Sequence, residues 1–326
     1  MRSALDGYVP VDIAGISAGQ VLAFDLYQLS MGTPRLFRNA EIPLEQEDLD
    51  SLLEYGCDTL FVPESQQDLL IGHQIGALPR LLRDSSVSAQ VKMEKLSEIS
   101  SRALERVLID PTSKQAVQST VDQCHNHVEL AAGGDEEQDA MRENRPAAPK
   151  AIAHAVAVCN LSILLGIQIG IEDGKELHAL ATGALLHEVG KQLVDPKYYS
   201  RTDDRVMVSN TRLRSYPILG SKMLRNHKCV PAESLRVISE HQERLDGTGF
   251  PKHLRGSEIG STSRILAVCD AFDEALHTDM SPGGRTPFQI LMSMKRTAGK
   301  YDEAIFRKFV KLLGSDTVAA DSLARS

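Results

Sequence analysis

Residues 241–251 read His-Gln-Glu-Arg-Leu-Asp-Gly-Thr-Gly-Phe-Pro, and no other stretch of this chain says as much. An apolar segment carrying Leu235, Val237 and Ile238 ends on a histidine and then enters a Gly-rich turn closed by proline. Upstream, Leu185-Leu186-His187-Glu188-Val189-Gly190-Lys191 sets a histidine and a carboxylate side by side in another apolar run. Downstream, residues 265–272 (ILAVCDAF) embed Asp270 among apolar neighbours. Burying an ionisable group is costly unless it is paired or holds a metal. Three such placements point to a metal site of histidines and carboxylates. His154, in Ala-Ile-Ala-His-Ala-Val-Ala-Val, completes a set of two histidines and two carboxylates with His187, Glu188 and Asp270. Each alone reads better as a hydrogen-bonded core residue; the set is what carries the metal reading. Imidazole with carboxylate suits Fe, Mn, Zn or Ni better than Ca.

The bulk composition fits a soluble globular protein of about two domains. The 326 residues are 42% hydrophobic and 25% charged, with a formal net charge of −8. That balance offers no basic footprint for DNA or RNA. The five cysteines (Cys57, Cys124, Cys159, Cys229, Cys269) are scattered, with no CxxC pair. Neither a disulfide framework nor a thiolate zinc site is expected, and a reducing cytoplasm fits. The first residues lack a basic-then-apolar leader. The longest apolar stretch, 151–171, contains His154, Asn160, Ser162 and Gln168, which makes a buried helix rather than a membrane span.

Along the chain, residues 1–65 read as a small mixed α/β module. Val21 to Tyr27 and Thr59 to Val62 have the look of strands, and a short helix carries Leu49, Leu52 and Leu53 towards Gly56. Residues 66–130 read as a helical connector, with Leu69, Leu70, Leu78, Leu81, Leu82, Leu96, Ile99, Leu104 and Val107 at helical spacing. Residues 131–149, rich in Gly, Pro and acids, read as a flexible linker. From 150 onward the pattern is mostly helix, so the fold is expected to be mostly α. Leu180, Ala184, His187 and Lys191 share one helix face, which lets Lys191 reach a phosphate held near the histidine. The remaining histidines, among them His125, His127, His178 and His227, read as surface or capping residues.

Residues 150–313 resemble the HD-GYP family, a branch of the HD phosphohydrolase superfamily. The resemblance rests on His154, then His187-Glu188-Val189-Gly190-Lys191, then Tyr216-Pro217 with Gly220, then His241-Gln242-Glu243 through Phe250-Pro251, then Asp270. It implies an all-α domain over 150–326 that binds two or three metals and hydrolyses the bacterial second messenger cyclic di-GMP. It also implies that Glu188 and Lys191 are catalytic, and that Lys191, Arg264 and Arg285 meet substrate phosphates. Residues 12–63 are more distantly similar to a small module found ahead of such domains.

The departures from the family pattern are specific. Glu188 stands where the family has aspartate, Tyr216 and Gln242 stand where it has histidines, and Phe250 replaces the tyrosine of the namesake motif. One metal position keeps His154, His187, Glu188 and Asp270. The other keeps only His241 and a share in Glu188, because a phenol and an amide are poor substitutes for imidazoles. At most one well-held ion is expected. Two functions stay open. One is a degenerate HD-GYP domain that binds a nucleotide or a protein partner, with weak or lost catalysis. The other is a mononuclear phosphohydrolase acting on cyclic di-GMP or another phosphoester.

Overall fold

The computed structural model describes residues 7–13, 16, 18–194, 213–278, 285–297 and 299–314. The chain forms two compact units, 1–83 and 84–326. The expected boundary at 65 lies instead after residue 83. The reason is α2 (Gln67–Arg83), whose Leu70 is fully buried in the core of the first unit.

The first unit is built on a four-stranded antiparallel sheet of order β1-β4-β2-β3. Its strands are β1 (Tyr8–Asp12), β2 (Leu26–Ser30), β3 (Thr33–Arg38) and β4 (Thr59–Pro63), with α1 (Gln46–Glu54) inserted before the last. Met31 and Gly32 join β2 to β3 with φ of 51° and 77°. Both are positive, as a two-residue type I′ hairpin requires. In β4, Leu60 and Val62 point inward while Thr59, Phe61 and Pro63 are half-covered, the period-2 pattern of a strand with one buried face. The apolar run at 21–27 becomes strand only from Leu26. Ahead of it the chain is held by Asp25, whose carboxylate accepts the Ala40 N–H at 2.7 Å and the Gln66 amide at 3.0 Å, while the Asp25 N–H donates to Gln66 at 2.8 Å. Side chains there satisfy polar groups that a sheet ladder would otherwise take.

Every named element among the described residues of the second unit is a helix. Its elements are α3 (Ala89–Ile109), α4 (Lys114–Ala131), α5 (Asp135–Glu143), α6 (Lys150–Ile169), α7 (Gly174–Leu186) and α8 (Val189–Val194). They are followed by α9 (Tyr216–Leu224), α10 (Ala232–Glu240), α11 (Ser261–Thr278), α12 (Pro287–Lys295) and α13 (Glu303–Leu313). α6 is the central rod, packed by α7, α11 and α13. It is the one described helix apolar and long enough to cross a membrane, and it is mostly buried inside the fold.

Residues 131–149 do not form the expected linker. They contain α5, whose Ala140 and Met141 are buried against the helices around it. Its three leading acids, Asp135, Glu136 and Glu137, sit in the first turn, where the helix dipole favours negative charge. Glu137 also accepts the Gly134 N–H at 3.0 Å and meets Lys92 at 3.4 Å. The acidic composition that suggested disorder is a helix N-terminus.

α8 and α9 approach closely at Gly190, where an added Cβ would lie 1.9 Å from the Tyr216 carbonyl oxygen. Only glycine allows that approach, and it brings Lys191 to within 5.2 Å of the Tyr216 ring centre.

Candidate metal centre

Four helices deliver the centre: α6 with His154, the end of α7 with His187, the end of α10 with His241, and α11 with Asp270. His187 and His241 use the same local device. Each stands one residue past its helix and donates Nδ1–H to the carbonyl three residues back, Ala184 at 2.6 Å and Ile238 at 2.7 Å. Carbonyls in a helix's last turn lack intrahelical partners, so the imidazole satisfies one and is itself oriented. His154 is fixed differently, donating Nδ1–H to Asp273 Oδ2 at 2.7 Å. With each Nδ1 held by an acceptor, the Nε2 atoms are the ones left to face the centre.

Asp270 Oδ1 lies 3.1 Å from His154 Nε2 and 3.4 Å from His187 Nε2. Ligand-type atoms of His154, His187 and Asp270 all fall within 4.8 Å of one another, and all three residues are buried. His187 Nε2 makes no hydrogen bond of normal geometry although it is enclosed. An imidazole lone pair facing a carboxylate oxygen in a buried site is the arrangement a cation resolves. The residues therefore fit a divalent metal held by two imidazoles and a carboxylate.

Glu188, expected as the fourth member, lies beside the trio rather than in it. Its Oε1 is 3.9 Å from His154 Nε2 and 4.0 Å from His187 Nε2, and it forms a buried ion pair with Lys191. Burial would raise the Glu188 pKa, but Lys191 and then the two histidines bring it down to about 2. Burial would lower the pKa of Lys191, and Glu188 carries it above its ordinary value instead. Burial likewise works against charge on His154 and Asp270. Their mutual hydrogen bond, with Asp273 on the far side of His154, holds the histidine well above and Asp270 well below the usual ranges.

The other expected ligand position has no open imidazole. Tyr216 donates its hydroxyl to His241 Nε2 at 2.8 Å. Burial, and then the neighbouring His187, push the His241 pKa down to about 3, so its ring is neutral and able to accept that bond. Gln242 donates its amide to Asp270 Oδ2 at 2.8 Å.

Arg264 corrects an expectation. It does not turn towards the centre: its guanidinium meets the Ile259 and Gly256 carbonyls at 3.0 and 3.1 Å and Asp302 at 3.1 Å. Six residues separate it from Asp270 on α11, which places the two on different faces of the helix. Arg285 is exposed just before α12, and the segment that leads to it, 279–284, lies outside the described residues. Residues 197–212, where the sequence carries Lys197, Arg201, Arg205 and Arg212, lie outside them too.

Several residues of the centre escaped the sequence reading. Asp273, three positions after Asp270 and fully buried, orients His154. Glu274, one turn past Asp270, has its pKa raised by burial and then by the Asp270 charge. Glu243 braces the turn by accepting the N–H groups of Lys252 at 2.6 Å and Leu254 at 3.0 Å. Away from the centre, His127 is not a surface residue: it is buried between Ser100 and Asn160 at 2.9 and 2.8 Å. His178 is buried too, and stacks on His125 with ring centres 3.7 Å apart.

Residues 148–305 match the HD domain family. Over 167 residues the chain is 32% identical to a cyclic di-GMP phosphodiesterase of Pseudomonas aeruginosa, covering 51% of this chain and 40% of that protein. A cyclic di-GMP phosphodiesterase of Borreliella burgdorferi is 25% identical over 169 residues, covering 50% of this chain and 43% of its own. The chain thus spans less than half the length of these curated relatives. Among solved structures, an HDG"Y"P protein from Bdellovibrio bacteriovorus superposes with a TM-score of 0.64 at 19% identity, covering 94% of this chain and 99% of that one, a likeness of fold. With the order His154, His187, His241, Asp270 and the helical second unit, these matches place the chain in the HD-GYP family.

Proposed function

We propose that this chain is a cyclic dinucleotide-responsive HD-GYP protein that holds a single divalent cation, has weak or lost cleavage, and acts by binding nucleotide or a protein partner. The observation that carries the reading is the bond from Tyr216 to His241 Nε2 at 2.8 Å, which occupies the lone pair a second ion would need. His154, His187 and Asp270 would hold the one ion, with Fe, Mn, Zn or Ni suited to that donor set. The printed activities of the curated relatives support cyclic di-GMP as the nucleotide to test first.

A second reading, a mononuclear phosphohydrolase, is favoured by Lys191. A bound divalent cation polarises a phosphoryl oxygen and lowers the pKa of a water. In that case Lys191, buried beside Glu188, would offset negative charge developing on the phosphoryl group, and Glu188 would keep the ammonium charged and in place.

Metal analysis of the purified protein, with calorimetry and product chromatography on cyclic di-GMP, separates the two. The binding reading expects nucleotide uptake without turnover. Linear dinucleotide formed over many turnovers would establish the enzyme.

A further inference from the structure

Gln242 is held at both ends of its amide. Nε2 donates to Asp270 Oδ2 at 2.8 Å, and Oε1 accepts from Arg244 Nη2 at 3.4 Å. Arg244 is itself placed by the carbonyls of His241 at 3.0 Å and Glu243 at 2.8 Å, and its guanidinium lies 5.3 Å over the Tyr301 ring. A cation therefore faces the carbonyl end of the amide and an anion faces the NH₂ end. A primary amide has both an acceptor and donors, so each end finds the partner it suits and the amide cannot flip without losing both bonds.

This bridge has a consequence for Asp270. A carboxylate has two oxygens, and here they are divided. Oδ2 is taken by Gln242, while Oδ1 faces His154 at 3.1 Å and His187 at 3.4 Å. We infer that Gln242 is a positioning residue for the metal centre: it pins Asp270 so that one oxygen is presented to the ion between the two imidazoles. The inference rests on the single-cation reading above. The residue that departs from a ligand histidine has not merely vacated a position; it supports the ligands that remain.

Partners that orient a metal's ligands typically change its affinity about 10- to 100-fold when removed. Gln242→Met keeps the length and bulk of the side chain and removes its donor and acceptor. We expect manganese and zinc to bind the full-length variant at least tenfold more weakly than wild type by calorimetry, equal to about 1.4 kcal/mol. The melting temperature in excess chelator should fall by the loss of one part-buried hydrogen bond, and the rise in melting temperature on adding metal should shrink as well. A purely structural Gln242 would lower the chelated protein's melting temperature alone and leave the affinity and the metal-induced rise untouched. Should Gln242→Met fail to fold, Arg244→Met decides instead, because it frees the amide's carbonyl end and should weaken metal binding in the same direction. Equal affinity in wild type and the folded variant overturns the inference. Absence of metal uptake by wild type overturns the metal reading itself, so the two failures are distinct.

Discussion

The Tyr216 hydroxyl and His241 Nε2 are 2.8 Å apart, with the imidazole neutral and its other nitrogen bound to the Ile238 carbonyl. The pair closes on itself: the phenol's proton is used by the histidine, and the histidine's lone pair is used by the phenol. On the reading proposed above, the one imidazole kept at the second metal position is occupied from within the protein.

Tyr216→Phe removes the hydroxyl and leaves His241 Nε2 buried without a donor. Such a loss costs about 1–3 kcal/mol. We expect urea unfolding in chelator to show that decrease, with no additional ion bound, because a single freed imidazole is too few ligands for a divalent site. Unchanged stability would mean that the bond contributes nothing in solution.

Asp273→Ala removes the acceptor that holds His154 Nδ1–H. By the usual effect of such partners, metal affinity should fall about 10- to 100-fold. Equilibrium dialysis with zinc is the check, and wild-type affinity in the variant would show that packing alone orients His154.

Stability should depend on His127. Burial, opposed by the bond His127 donates to Asn160 Oδ1, pushes its pKa down to about 4, against about 6.5 in an unfolded chain. The folded protein binds fewer protons in that interval, so the contribution is fully present above about pH 6.5 and is lost as pH falls towards 4. From pH 7.5 to 5 the loss should be about 2 kcal/mol. His127→Gln, which can still bond Ser100 and Asn160, should lack that portion of the acid sensitivity. Denaturant unfolding of both proteins at the two pH values tests it; parallel losses would assign the acid sensitivity elsewhere.

The residues legible in the sequence were those whose signal is local. His154, His187 and Asp270 stood out because an ionisable group in an apolar helical run needs a partner, and the structure brings those three together. Asp273 carried a comparable signal, a second acid three residues on in the same apolar helix, but it was overshadowed by Asp270. His127 was misread because its partners come from other helices, 27 and 33 residues away. Arg264 was misread for a related reason: Asp302, which binds it, is 38 residues downstream. In α5 the composition was read without position. Three acids count towards disorder in a loop but stabilise the first turn of a helix, and Ala140 and Met141 supply just enough apolar surface to dock it.

The number of ions per chain bears on all of this at once. Wild type and the triple variant Glu188→Asp, Tyr216→His, Gln242→His are loaded in turn with manganese, iron and zinc, dialysed, and analysed for metal. Coordination needs several ligands together, so none of the three changes alone should add an ion. The account predicts at most about one ion in wild type, a rise towards two in the triple variant, and none in His187→Ala. Two tightly held ions in wild type, one of them bound by His241, would contradict it.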